Sequence, residues 1–466
     1  MTTRETLELL RRYESRNVTF LDPDGTWPMV WERAKGVHVW DAEGKKHLDL
    51  TAAFGVAAAG HANPKVVAAG QEQMGKLLHA MGDVHPHTLK AQLAQKLSEI
   101  TFERWSGTEE LKSSSVEELK RKEPHRTDSS TLQLFTPSTI QHGKVIFCNS
   151  GFEAVEAALK TAMLTAGKYG VIAFKGAYHG LGYGALNATH REHFRGPFHL
   201  QLKEFGHFVD FPTKASDLPV VELQVRRFFQ RGWVGAILVE PIQARGGINV
   251  PPPGFLPLLR KLCDENKALL IVDEIYTGFG RTGKWFACEH SEVAPDIICL
   301  GKALTGGFPL SACVGRAEVM DAAWPESQGE AIHTSTFLGH PVGCAMALAQ
   351  LAEVERLKLV RKSAELGEAL TEQLASLRAP DSALRISSRG LGLMAGVELR
   401  RADNSPATAE AIAAIKELLK RGYIFLPEGE HSNVISFTPP LTISEAQLTE
   451  AVKALEDALT TGGQHG

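Results

Sequence analysis

Five short, almost uninterrupted apolar runs constrain this chain more than any other feature: Val145–Cys148, Val171–Phe174, Val234–Val239, Ala268–Val272 and Asp296–Leu300. A strand with one wet face alternates apolar and polar residues. A continuous run needs cover on both faces. The stretches between the runs are long enough for crossover helices, and Glu153–Leu164 is alanine-rich with helical spacing. The expectation is therefore an α/β architecture, a mostly parallel sheet flanked by helices. Upstream, residues 36–40 and 47–50 flank Asp41-Ala-Glu-Gly44 and read as a hairpin. Val66–Ile100 reads as helical, broken at His85-Pro-His87. From Cys344 onward the pattern is helix, strand (Gly392–Leu399), helix, strand (Val434–Phe437), helix, which suits a smaller α+β domain. The expected division is a large domain over 71–343 and a small one assembled from 1–70 and 344–466. Residues 105–142 read as a polar surface insertion, with a short helix around Ser115–Lys122 and no assigned function.

With 466 residues, 43% of them hydrophobic, the chain can bury a large core. A net charge of −4, from 50 basic and 54 acidic residues, argues against a broad basic face for nucleic acid. The six cysteines form no C-x-x-C pair, and Cys148, Cys299 and Cys313 sit inside apolar runs. They read as small hydrophobes, so a reducing, cytoplasmic location is expected, with no disulfide framework or zinc ribbon. The metal spacings H-E-x-x-H and Cys/His are missing. Met1–Tyr13 is charged and helix-like and lacks the apolar centre of a signal peptide. No stretch approaches the ~18 consecutive apolar residues of a membrane span.

In open α/β sheets, ligands bind beyond the carboxyl ends of the strands. After the first run comes Asn149-Ser150-Gly151, opening a helix whose free N–H groups suit a phosphate. After the second comes Tyr178-His179-Gly180, and after the third Glu240-Pro-Ile-Gln-Ala-Arg245. The fourth ends in Asp273-Glu274 and the fifth in Gly301-Lys302. Each piece has an ordinary structural explanation: a helix cap, a surface lysine, a strand-end turn. The ordered set matches one ligand, pyridoxal phosphate. A lysine forms a Schiff base with its aldehyde, a carboxylate keeps its ring nitrogen protonated, a flat ring stacks on it, and a helix start takes its phosphate.

With Leu270-Ile-Val-Asp273-Glu-Ile-Tyr-Thr-Gly-Phe-Gly-Arg-Thr-Gly283 and Asp296-Ile-Ile-Cys-Leu-Gly-Lys302, the chain resembles the class III aminotransferases of the type I pyridoxal-phosphate fold. The resemblance covers about Gly36 to Leu441, with 105–142 outside it. It implies that Lys302 is the Schiff-base lysine and Asp273 the ring-nitrogen partner. It also implies that Ser150 and Gly151 cradle the phosphate and that Tyr178 stacks, with His179 beside it. Thr336, in His333-Thr-Ser-Thr-Phe-Leu-Gly-His340, matches the threonine that reaches the neighbouring subunit's phosphate, although His340 replaces the usual Asn. The family is dimeric, so a homodimer with shared sites is implied. So is ping-pong transfer between small-molecule amine and oxo-acid substrates, with the freed Lys302 amine moving the proton.

The chain departs from the family pattern where substrates are chosen. Relatives acting on 4-aminobutyrate or acetylornithine carry arginines where Leu181 and Ser436 stand here. They also carry a switch glutamate where Arg245 stands and a Gln where Tyr276 stands. Arg245 is therefore a candidate for binding the acceptor's carboxylate through its planar fork. The competing reading has it paired with a nearby acid, Glu240 or another. Loss of the two arginines leaves room for an apolar donor, which favours an ω-transaminase using simple amines or ω-amino compounds, with pyruvate or another oxo acid as acceptor. A 4-aminobutyrate or diamine type using 2-oxoglutarate, and a same-fold epimerase, mutase or decarboxylase, remain alternatives. A nicotinamide oxidoreductase would use Gly278-Phe-Gly280-Arg-Thr-Gly283, but no helical pattern comes after it. Intact Lys302 and Asp273 argue against an inactive binding scaffold. Glu153 and Glu156 read either as support for the phosphate helix or as a solvated face.

Overall fold

The computed structural model describes residues 1–22, 25–106, 142–378 and 383–462. The helix expected near Ser115–Lys122, and nearly all of the polar 105–142 segment, lie outside the described residues. The charged N-terminus forms the helix Thr3–Tyr13. Strands β1 (Trp31–Lys35), β2 (His38–Asp41) and β3 (Lys46–Asp49) come next as an antiparallel meander, with His38 opposite Leu48.

The large sheet contains β4 (Gly143–Cys148), β5 (Gly170–Phe174), β6 (Gly206–Val209), β7 (Val234–Val239), β8 (Leu269–Asp273), β9 (Ile297–Leu300) and β10 (Ser311–Arg316). Its spatial order is β4-β10-β9-β8-β7-β5-β6. All neighbours run parallel except β10, which is antiparallel to both β4 and β9. Every residue of β5, β7, β8 and β9 is buried, as two-sided cover requires. Alternate residues go to opposite faces. Ala236, Leu238, Leu269, Ile271, Ile297 and Cys299 meet the alanines of helix Gly151–Ala166. Ile237, Val239, Leu270, Val272, Ile298 and Leu300 join the main core on the other side. Small alanines let that helix sit close to the sheet. All six cysteines are buried and unpaired.

β6 and β10 have no counterpart among the strands expected from sequence. β6 has only four residues, and β10 is built largely from small residues behind a glycine-rich loop, so neither stands out as an apolar run. The helical stretch expected over 66–100 is two helices, Pro64–Lys76 and Thr88–Ser98, with a π-turn at Glu99–Glu103. Their break is wider than His85–His87, because the intervening segment is shaped by contacts with residues 334–340 instead of a helical register. His79 packs edge-on to Phe337, and the Thr334 hydroxyl donates to Asp83.

In the C-terminal part, β11 (Leu384–Leu391), β12 (Met394–Arg401), β13 (Tyr423–Ile424), β14 (Leu426–Glu428) and β15 (Val434–Phe437) make up the remaining strands. The expected strand at Gly392–Leu399 is β12, and β11 pairs antiparallel with it. β13 joins the N-terminal meander parallel to β3, so the two ends of the chain share a sheet. The other four-stranded sheet runs β11-β12-β15-β14. No helix among the described residues is long and apolar enough to cross a membrane.

Candidate active site

β9, β8, β7 and β5 lie side by side, and the carboxyl end of each delivers one polar group to a cavity of about 350 Å³. In spatial order these are Lys302, Asp273, Glu240 and the Tyr178-His179 pair, all on its wall. The order comes from the strand order, which brings together residues more than a hundred positions apart in sequence.

Lys302 has φ 31°, a left-handed backbone that costs a non-glycine residue energy and so marks a constrained position. Its Nζ lies 4.6 Å from the centroid of the Tyr276 ring. Burial pushes its ammonium pKa below the ordinary lysine value, although the charges of Asp273, Glu240 and Glu428 pull it back up. Asp273 is buried, with Oδ2 2.8 Å from His179 Nδ1 and Oδ1 accepting the Ile275 N–H at 3.1 Å. The imidazole thus fixes the carboxylate. Its own Nε2 is shielded from solvent and lacks a partner among the described residues. Burial also pushes Glu240 up to about 7, and its two oxygens accept from Tyr178 N and Ala244 N at 2.9 and 3.1 Å.

At the end of β4, Ser150 caps the helix Gly151–Ala166. The Glu153 carboxylate accepts from Asn149 N at 2.6 Å and Ser150 N at 3.1 Å. Glu156 accepts from Gly184 N at 3.0 Å. Both glutamates hold backbone, so the solvated-face alternative is not what forms. Ser150 Oγ is shielded and has no partner among the described residues. An orphaned hydroxyl at a helix start suits the terminal oxygens of a phosphate. With the aromatic plate, the lysine and a carboxylate opposite, the donor set fits pyridoxal phosphate.

Thr336 is exposed and is not on the cavity wall of its own chain. Gly278–Gly283 lies in turns and bends, followed by only the short 3-10 helix Ala287–Ser291 in place of a long helix. Arg245 lies on the cavity wall, its guanidinium carbon 5.9 Å from the Tyr178 ring centroid. Its ion-pair partner is Glu428, 3.6 Å away, not Glu240. Leu181 is also on the wall. Ser436 is buried and donates to the Leu426 carbonyl at 3.1 Å.

Residues 21–459 match the sequence profile of the class-III aminotransferases. The chain is a class III aminotransferase. A putrescine aminotransferase from Pectobacterium atrosepticum is 37% identical over 442 residues, covering 93% of this chain and 83% of that protein. An acetylornithine aminotransferase from Methanosarcina mazei is 34% identical over 434 residues, 93% of this chain and 92% of that one. The crystal structure of a Bacillus anthracis aminotransferase superposes with a TM-score of 0.82 at 26% identity, covering 99% of this chain and 100% of that chain. The aminotransferase has the fold-type-I architecture expected from its sequence.

Three groups on or behind the wall of this aminotransferase's cavity carry no assigned role in the sequence motifs. Tyr276 closes the wall beside Lys302, and the left-handed turn Ala52–Gly55 packs against it. A Cβ on Gly55, at φ 81°, would lie 3.0 Å from its ring. Arg191 Nη2 donates to the Arg245 carbonyl at 2.5 Å. Glu428 comes from β14, far along the chain. Only Tyr276 has a local signal, its place within the Asp273 motif.

Proposed function

We propose that this aminotransferase moves an amino group from an amine or ω-amino compound to an oxo acid such as pyruvate, in two half-reactions with the first product leaving before the second substrate binds. The supporting observation is Arg245. Among the described wall residues it is the cation other than Lys302, and it stands where an acceptor's carboxylate could meet it. Apolar Leu181, in place of an arginine, leaves the donor side without a fixed anion receptor. The putrescine aminotransferase relative supports an ω-amino donor.

Pyridoxal phosphate, when bound, would supply an aldehyde group and an electron-withdrawing ring. Lys302 would hold the cofactor's aldehyde and, as a free amine, would carry the proton away from the donor carbon. Asp273, fixed by His179, holds the proton on the ring nitrogen. Tyr178 covers the ring face, and Ser150 with the N–H groups after it holds the phosphate. We assign a second phosphate contact to Thr336 of the partner subunit in a homodimer. Exposed Leu77, Leu78, Met81, Val84, Ile332 and Phe337 give such a dimer apolar surface to bury. The unpaired cysteines suit a cytoplasmic enzyme.

Ser150→Ala is expected to weaken cofactor retention by about tenfold, the worth of one hydrogen bond to a charged group. Equilibrium dialysis reads this. Unchanged affinity would remove Ser150 from the cradle.

The function itself is tested by mixing the loaded enzyme with amines and no acceptor. One carbonyl product per site is expected, then turnover on adding pyruvate. Failure of every amine to release product would reject the reading, and an amino group kept on the donor skeleton would indicate a same-fold epimerase or mutase. Arg245→Ala should raise the KM for pyruvate about ten- to a hundredfold, as loss of a charge-assisted pair does, and leave that for a monoamine nearly unchanged. Equal effects on both would take Arg245 out of acceptor binding.

A further inference from the structure

Glu428 is 2% exposed, and neither of its carboxylate oxygens has a hydrogen-bond partner among the described residues. Buried carboxylates are normally hydrogen-bonded, because desolvating one without a partner is costly. Glu274 shows the usual solution in this same chain, accepting from the Ala287 and Cys288 N–H groups at 3.0 and 2.8 Å. Glu428 has only the loose 3.6 Å ion pair to Arg245 Nη1 among the described residues.

Arg245 is unequally held. Its backbone is pinned, since its carbonyl accepts from Arg191 Nη2 at 2.5 Å and Gly429 N at 3.2 Å. Its side chain is 32% exposed and reaches over the cavity. The guanidinium can therefore turn toward the mouth while the loop stays in place, uncovering Glu428. Glu428 lies behind the cavity wall, with Arg245, which is on the wall, between them; burial pushes its carboxyl up to about 7, while Arg245, Arg191 and Lys302 favour its charged form. A buried carboxylate without hydrogen bonds among the described residues, under a movable cation on the cavity wall, is arranged to receive another cation.

We propose that Glu428 is the receptor for the distal ammonium of an α,ω-diamine donor, with Arg245 covering it when no donor is bound and meeting the acceptor's carboxylate in the other half-reaction. This rests on the amine-donor reading above. It adds the class of donor and the residue that selects it. A donor with a carboxylate at its far end would meet Glu428 as a like charge, so the subsite discriminates by repulsion as well as attraction.

The test compares three probes of similar length, 1,4-diaminobutane, 1-aminobutane and 4-aminobutanoate, in half-reactions of the loaded enzyme and of Glu428→Gln. The isosteric variant should raise the KM for the diamine roughly ten- to a hundredfold, as loss of a charge-assisted pair does, and leave that for 1-aminobutane within about twofold. It should lower the KM for 4-aminobutanoate. In a Lys302→Ala background, where transfer is blocked, calorimetry should give the same loss of preference for the diamine over the monoamine. The proposal is overturned if diamine and monoamine shift together, as a structural role would produce, or if the calorimetric ratio does not move. Failure of every amine to yield product in the unsubstituted enzyme would sink the amine-donor function, while calorimetry would still report on Glu428.

Discussion

Lys302→Ala is expected to slow amine consumption by at least about ten-thousandfold, since the proposed mechanism gives this one group the roles of both nucleophile and proton carrier, while the protein keeps its fold. Its partly buried ammonium sits at a strained φ of 31°. Burial, the largest influence on it, disfavours the charged form. Removing that group relieves the chain of a desolvated charge, so the melting temperature should stay level or rise. The same lowered pKa bears on the amine once it is displaced from the aldehyde, the form in which it carries the proton. The proton-carrying form is the neutral amine, which gains population as pH rises through the lowered pKa. The rate of the half-reaction should therefore climb with pH at values where an ordinary lysine would still be fully charged, then level off. Single-turnover product release measures both effects. Added methylamine should restore part of the rate in the alanine variant, because a free amine can enter the space the side chain left. A variant retaining more than about a hundredth of the parent rate would show that another base moves the proton.

Legibility in the sequence depended on how locally each feature was encoded. The four fully buried parallel strands announced themselves because cover on both faces removes every polar residue, and the residues just past their carboxyl ends include Tyr178, Asp273 and Lys302. The order in which the strands lie is set by crossover connections, which leave no local trace. That Lys302, Asp273, Glu240 and Tyr178 form a row could therefore be seen only in the fold. β10 lacked a run of large apolar residues, and its antiparallel direction depends on what lies on either side of it. Arg245 stood out because it breaks a motif, but its partner was not legible. Glu428 lies in a short strand whose sequence, Leu426-Pro-Glu428, carries no sign of burial. Glu153 resembled a solvated side chain on a helix face, yet its carboxylate is spent on the two N–H groups that precede its helix.

Asp273→Asn should lower the rate of C–H cleavage about a thousandfold, the scale for removing a fixed charge from a site of developing charge, with cofactor retention nearly unchanged. The substitution preserves shape. Asn can still accept the Ile275 N–H through its carbonyl oxygen, and the contact with His179 survives as a weaker, neutral one. On the proposed reading, what disappears is the negative charge that would keep a proton on the bound cofactor's ring nitrogen, and without it the ring would withdraw electrons poorly. Glu240→Gln supplies the comparison within the same layer. Glu240 is buried, has its pKa pushed up to about 7, and has both oxygens occupied by backbone N–H groups, so its charge is not free to serve a ring. Its amide should cost less than about tenfold, mostly through a shifted Tyr178 backbone. Deuterium exchange between the donor carbon and solvent isolates the cleavage step from product release. If the two variants lose rate equally, the decisive feature is the packing of the layer, and Asp273 does not face the nitrogen. A loss confined to Asp273→Asn means that one charge, held in place by one imidazole, sets how readily the carbon gives up its proton.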